Sequence, residues 1–204
     1  SIGLVGSEMC IRDSSRVIVD PDNSDIVLVS TYGSRNTGSR IYRSDDGGST
    51  WNERYSIAYA NSITGVQQII SAPNDFNIQY AAVNGIGVLR SEDGGISWSN
   101  PGGIGLASTV PYDNEDGIMS SGAGGTFGRL ELAVSHQNPN TVYAGVDGDD
   151  ASYLKVSYDG GTTWNMLRND DNTEDDWLSS LGWWGNTITL NPVSYTHLTL
   201  PTIE

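Results

Sequence analysis

One cysteine and two histidines in 204 residues leave no internal disulfide and little for a zinc site to use. Basic residues are also scarce, with ten Lys and Arg against 25 Asp and Glu and a formal charge of -15. Nucleic acid requires Lys and Arg to displace its counterions, so neither it nor an acidic lipid surface is an expected partner. No apolar run approaches the roughly 18 residues that span a bilayer. What the chain does have is 25 Gly, 6 Trp, 10 Tyr and 37% hydrophobic residues, enough for a packed core. The length suits one ordinary domain or one large all-β domain.

The two ends share one short DNA word. Met9-Cys10-Ile11-Arg12-Asp13-Ser14 can be encoded ATG TGT ATA AGA GAC AGN. The reverse complement, NCT GTC TCT TAT ACA CAT, encodes Pro192-Val193-Ser194-Tyr195-Thr196-His197. Leu4 to Ser14 and Val193 to Thr202 resemble translated sequencing-library adapters. Residues 1–14 and 192–204 are therefore read as non-native scars and set aside from the fold. Cys10 and His197 go with them, leaving His136 as the one native histidine, and the excess of acid persists.

Residues 15–191 are organised by a repeat. Ser44-Asp45-Asp46-Gly47-Gly48-Ser49-Thr50-Trp51 returns as Ser91-Glu92-Asp93-Gly94-Gly95-Ile96-Ser97-Trp98 and as Ser157-Tyr158-Asp159-Gly160-Gly161-Thr162-Thr163-Trp164. A second pattern precedes each copy: Val17-Ile18-Val19-Asp20-Pro21, Ile69-Ile70-Ser71-Ala72-Pro73 and Leu132-Ala133-Val134-Ser135-His136, with another start at Ile188-Thr189-Leu190-Asn191. Apolar, β-branched runs of about 4–6 residues separated by Pro, Asn, Asp and Gly turns read as four short strands per unit. In the first unit these fall near 16–20, 26–31, 39–44 and 50–55. Four-stranded antiparallel units repeating at about 50 residues are propeller blades, whereas a two-sheet sandwich does not demand the same turn at each interval. The expected fold is all-β: a β-propeller fragment of about three blades in an open arc, roughly 15–55, 67–102 and 130–168, plus the first strand of a fourth from 187. Because a ring typically needs at least four blades, such an arc needs the rest of the propeller to close, and alone it is expected to be poorly soluble.

Each turn has a physical logic. Paired glycines supply positive φ, the aspartate accepts from backbone N–H groups, Ser and Thr close the remaining bonds, and Trp clamps the turn onto its blade. Ser44, Asp46, Gly48, Thr50, Trp51, Ser91, Asp93, Gly95, Ser97, Trp98, Ser157, Asp159, Gly161, Thr163 and Trp164 are thus expected to be structural. A single active site needs a single carboxylate pair, so Asp46, Glu92 and Asp93, which sit in a turn that every blade repeats, are not read as catalytic.

The three octapeptides resemble the Asp-box, or BNR, repeat, and the blade pattern, including Gly128-Arg129-Leu130 and Asn140-Thr141-Val142-Tyr143-Ala144-Gly145, is most similar to bacterial sortilin-type propeller proteins. The resemblance implies a propeller whose Asp-boxes lie on the face away from the ligand. It implies activity less specifically, since the box occurs in sialidases, xyloglucanase-type glycosidases, sortilin-like receptors and photosystem assembly factors. The expected function is a secreted or cell-surface scaffold for a protein or carbohydrate ligand. The alternative is a glycoside hydrolase of sialidase or xyloglucanase type, with its catalytic residues mostly elsewhere.

Ligand-face candidates come from the long connections 56–66, 99–129 and 165–186, since functional groups concentrate on loops held by a rigid scaffold. Tyr112, Asp113, Glu115 and Asp116 form an acidic cluster, and Trp177, Trp183 and Trp184 offer rings for sugar stacking. Arg129 stands alone just before a first strand, whereas a sialidase needs an arginine cluster and a Tyr/Glu pair, and its Phe-Arg-Ile-Pro segment is absent. No cofactor is expected. Asp170, Asp171, Glu174 and Asp175 are the calcium alternative, dense in hard oxygen ligands but without the Asp-x-Asp-x-Asp-Gly order. Asp147-Gly148-Asp149-Asp150 is similar and shorter.

Overall fold

The computed structural model describes residues 14–31, 38–57, 65–83, 87–101, 129–147, 152–169 and 186–190. Eleven strands and no helix occur among them. The first sheet holds β1 (Ser14–Val19), β2 (Val27–Thr31), β3 (Arg40–Ser44) and β4 (Asn52–Ser56), hydrogen-bonded in chain order. β5 (Val66–Ala72), β6 (Asp75–Val83) and β7 (Gly87–Ser91) form the second. β8 (Leu130–Val134), β9 (Val142–Asp147), β10 (Ser152–Ser157) and β11 (Asn165–Asn169) form the third. Every ladder is antiparallel. Successive up-and-down sheets whose first strands lie side by side make this a partial β-propeller.

Two details depart from the sequence expectation. The second blade has three strands, and where a fourth was expected only Ser99 bridges back to Arg90. Pro101 follows two residues later, and a proline has no N–H to extend that ladder. Residues 186–190, expected to open a fourth blade, join no ladder. A first strand takes its ladder from the strand that follows it, and residues 191–204 lie outside the described residues. Thr187 to Leu190 still alternate exposed and half-buried, as a strand facing a core would.

Two cores glue the blades. Leu28 and Ile41 of the first blade meet Val66, Ile69, Ala81, Val83 and Leu89 of the second, with Ile18 and Trp98 packed alongside. The other face of the second blade, with Tyr80, Ala82 and Val88, meets Leu130, Leu132, Val134, Val142, Ala144, Val146 and Trp164. Alternation along each strand sends one set of side chains back to the preceding blade and the other forward to the next. In β1 the forward residue Ile18 is packed, while the backward residues Val17 and Val19 are 56% and 48% exposed.

The turns between third and fourth strands approach the preceding blade closely. Gly95 has φ +85, and a Cβ there would lie 2.2 Å from Leu28 Cδ2. Gly48, with φ +91, would meet only Trp51 of its own blade at 3.4 Å. Gly95→Ala should therefore add a collision, typically ~1–3 kcal/mol, to the left-handed backbone penalty of roughly 1–2 kcal/mol that Gly48→Ala incurs alone. Urea midpoints of the two variants check this, with Gly95→Ala expected to unfold at the lower denaturant concentration.

Candidate functional site

The two rims of the blades are chemically different. At one rim sit the three repeated turns, which we call corners. Ser44 Oγ accepts from Gly48 N at 2.8 Å and donates to Asp46 Oδ1 at 2.8 Å. Thr50 then donates its backbone N–H to Asp46 Oδ1 at 2.7 Å and its hydroxyl to Oδ2 at 2.6 Å. The set recurs around Asp93, with Gly95 N to Ser91 Oγ at 2.9 Å and Ser97 donating at 2.9 and 2.5 Å. It recurs around Asp159, with Gly161 N to Ser157 Oγ at 2.8 Å and Thr163 donating at 2.9 and 2.7 Å. Each corner also rests on its own blade, through Gly47 N to Asp25 O and Gly160 N to Asn140 O in the first turn, and through Gly94 N to Asn77 O near the start of β6.

These bonds hold the aspartates ionised. Hydrogen bonds from Thr50, by side chain and backbone, and from Ser44 lower Asp46 from 3.8 to about 2. Burial pushes Asp93 and Asp159 up, but hydrogen bonds from Ser97 and Ser91, and from Thr163 and Ser157, outweigh it and leave both lowered. Carboxylates saturated by their own turn are poorly suited to donate or take up a proton near neutral pH.

The tryptophans are not equivalent. Trp164 is 4% exposed and its indole N–H donates to Gly161 O at 3.2 Å, within the core shared with the second blade. Trp98 is half-buried against the first blade's core, and Trp51, which has no described blade before it, belongs to neither core. The clamp thus works between blades as much as within one.

Arginines just before the corner serines reinforce the contact. Arg43 donates to Gly94 O of the next blade and pairs with Asp45 at 2.7 Å. Arg90 donates to Asn140 Oδ1 at 2.6 Å and pairs with Glu92 at 3.0 Å. Tyr80, its phenol held above the usual value by burial, donates to Pro139 O at 2.7 Å. In the third blade the equivalent positions are Val156 and Tyr158, so the arginine–acid pair is missing there.

The opposite rim is built by the beginnings of the innermost strands β1, β5 and β8. β1 and β5 each carry a register shift, between Ser14 and Arg16 and between Val66 and Gln68. A bulge re-aims the side chain it displaces. Ser15 donates to Val66 O at 2.5 Å, and Gln67 Oε1 accepts from Leu130 N at 2.6 Å, so each bulged residue fastens the next inner strand. Gln68 does the same one step on, accepting from Leu132 N at 2.6 Å and donating to Leu132 O at 3.2 Å. When the repeats are aligned, Arg16, Gln68 and Glu131 fall at one position. Arg16 and Glu131 meet across this rim at 3.4 Å, and Arg129 donates to the same carboxylate oxygen at 2.6 and 2.8 Å. Asn186 Nδ2 donates to Arg129 O at 2.9 Å and to Gly145 O at 2.7 Å.

Of the expected ligand-face residues, Arg129 is on this rim, neutralised by Glu131 and not part of a free arginine cluster. Tyr112, Asp113, Glu115, Asp116, Trp177, Trp183 and Trp184 lie outside the described residues, as do Asp170, Asp171, Glu174 and Asp175. Among the described residues no group of three or more His, Cys, Asp or Glu could hold a metal ion. Sequence reasoning missed Arg16, Gln67, Gln68 and Glu131. For Arg16, Gln68 and Glu131 the signal was polarity at one aligned position in otherwise apolar first strands, and Gln67 stands one position before it.

No family model matches the chain. Over 141 residues, 66% of the chain, it is 33% identical to a xyloglucanase from Paenibacillus sp, of which it spans 12%. It is also similar to the crystal structure of the Niastella koreensis GH74 enzyme, with a TM-score of 0.48 and 19% identity, over 76% of this chain and 22% of that one. A structure of YCF48 bound to D1 peptide has a TM-score of 0.41 and 16% identity, over 74% of this chain and 44% of that one.

The corners generate two predictions. Ser157 is wholly buried and its Oγ is the acceptor for the buried Gly161 N–H, so Ser157→Ala should cost ~1–3 kcal/mol in urea unfolding. The second concerns acid. A lowered folded-state value means that the corner bonds stabilise fully above the unfolded value of 3.8 and lose that effect as pH falls through about 2. Stability followed by tryptophan fluorescence should decline across that interval. A variant with Asn at Asp46, Asp93 and Asp159 should be less stable at neutral pH and show a shallower decline.

Proposed function

We propose that the chain is a segment of a larger glycoside hydrolase of the xyloglucanase type, to which it contributes three neighbouring blades. The 33% identity to a xyloglucanase over 141 residues carries this reading. It favours the hydrolase alternative over the protein- or glycan-binding scaffold expected from the sortilin-type resemblance. The corners then serve as Asp-boxes, structural in role, and the opposite rim faces the glycan. Tyr112, Asp113, Glu115, Asp116, Trp177, Trp183 and Trp184, which lie outside the described residues, are the sequence's candidates for the stacking rings and carboxylates such an enzyme uses. Secretion follows from the substrate class, since a plant-wall polysaccharide lies outside a bacterial cell. The flanks 1–14 and 192–204 are adapter scars in this reading.

A sialidase is less well supported, because the described rim offers Arg129 and Arg16 engaged with Glu131 in place of free arginines. The test is reducing-end release by the longer protein that contains this segment, offered xyloglucan, mixed-linkage β-glucan and sialosides separately. Xyloglucan should be cut fastest. Binding of xyloglucan without turnover would restore the scaffold reading, and release from sialosides alone would point to a sialidase.

A further inference from the structure

The two junctions between described blades follow one rule, and the backward side of the first blade carries the receiving half of it. At each junction the residue whose carbonyl holds the first corner glycine is an asparagine, Asn77 or Asn140, and the arginine of the preceding blade comes to its side. Arg90 Nη2 donates to Asn140 Oδ1 at 2.6 Å. Arg43 Nη1 and Asn77 Oδ1 lie 3.0 and 3.6 Å from the point where a Cβ on Gly94 would stand. When the repeats are aligned, the same place in the first blade is Asp25. Gly47 N donates to Asp25 O at 2.9 Å, and Asp25 Oδ1 lies 3.6 Å from the corresponding point on Gly47. The socket is therefore built as in the other blades, with a carboxylate in place of the amide.

Nothing described fills it. Asp25 is exposed and pairs with no cation among the described residues. Val17 is 56% exposed, whereas the residues aligned with it, Ile69 and Leu132, are 2% and 1% exposed beneath their junctions.

Charge decides what fits. Arg43 and Arg90 are each balanced by an acid of their own blade, Asp45 and Glu92, and so can meet a neutral amide. At the first blade the balancing charge stands on the receiving side. An arginine that arrived with its own acid would bring a second carboxylate toward Asp25, and like charges brought together at an interface are unfavourable. We propose that the side of the first blade bearing Val17 and Asp25 docks a further propeller blade whose corner reads Arg-Ser-x-Asp-Gly-Gly with x uncharged, its guanidinium paired to Asp25. A second copy of this chain does not meet that description at its third blade, where Val156 and Tyr158 occupy the two places. The proposal rests on the reading of the chain as a segment of a larger propeller enzyme and adds a contact which that reading does not contain.

The test compares the longer protein that contains this segment with the 204-residue chain, each carrying Val17→Cys, by maleimide labelling read on the peptide that holds the introduced thiol. That thiol should react freely in the shorter chain and about a hundredfold more slowly in the longer protein, where labelling waits on local opening. Adding Asp25→Asn, the residue type of the other two sockets, should speed labelling about tenfold in the longer protein, the effect of trading a charge-assisted hydrogen bond for a neutral one. It should leave the shorter chain unchanged. Equal labelling of the two proteins overturns the docking surface and leaves the hydrolase reading to its own assay. Protection that Asp25→Asn does not relieve overturns the pairing with arginine. Protection in the shorter chain that grows with its concentration identifies a second copy as the occupant and overturns the blade.

Discussion

The structure depends on how closely one blade's corner can lie against the blade before it. Gly94 and Gly95 pass so near the first blade that a single added carbon would meet Arg43 at 3.0 Å and Leu28 at 2.2 Å. Gly160 stands equally near Arg90. Glycine therefore has two duties at these points. It supplies the left-handed backbone that the turn requires, and it removes the side chain that would hold the blades apart. Once the corner is seated, the arginine of the preceding blade reaches its carbonyl or its neighbouring asparagine, and the apolar faces close beneath.

That constraint explains why so much of the fold could be read from the sequence. The corner is local: eight consecutive residues contain the hydrogen-bonding serine, the aspartate, the glycine pair and the tryptophan. Nothing distant is needed to form it, so its three copies announce three blades. The strands of the first blade lie within two residues of their expected bounds for the same reason, since alternation and turn residues are properties of short windows. Where a distant or subtle feature decided the outcome, the sequence was less informative. The proline that stops the second blade's last strand is visible in the chain, but its effect on one ladder is not. The differing burial of Trp51, Trp98 and Trp164 depends on which blade precedes each, a tertiary fact.

The rim opposite the corners was largely illegible, for a physical reason. Arg16 and Glu131 are 115 residues apart in sequence and meet only because the inner strands of different blades converge, while bulges in β1 and β5 turn Ser15 and Gln67 toward the next inner strand. A bulge is a matter of register, and register is fixed by pairing with another strand. Arg129 was singled out as an isolated arginine near a loop, but its partner two residues later lay inside an apolar strand and was passed over as part of it. Aligning the repeats position by position, and asking where polarity intrudes and residue type diverges, would have exposed the rim.

Repetition and divergence thus separate the shared architecture of the corners from what is particular to each blade. The corner aspartates are identical because each meets the same geometric demand, and their hydrogen bonds hold them in one charge state. The third blade breaks the pattern on its forward side, where Val156 and Tyr158 replace an arginine and an acid, and Tyr158 is 59% exposed. Val156 is already wholly buried, so at this junction only Tyr158 stands exposed where the first two have a charged pair. A propeller in which every junction were alike would close as a uniform ring. One whose junctions differ can fix which blade follows which.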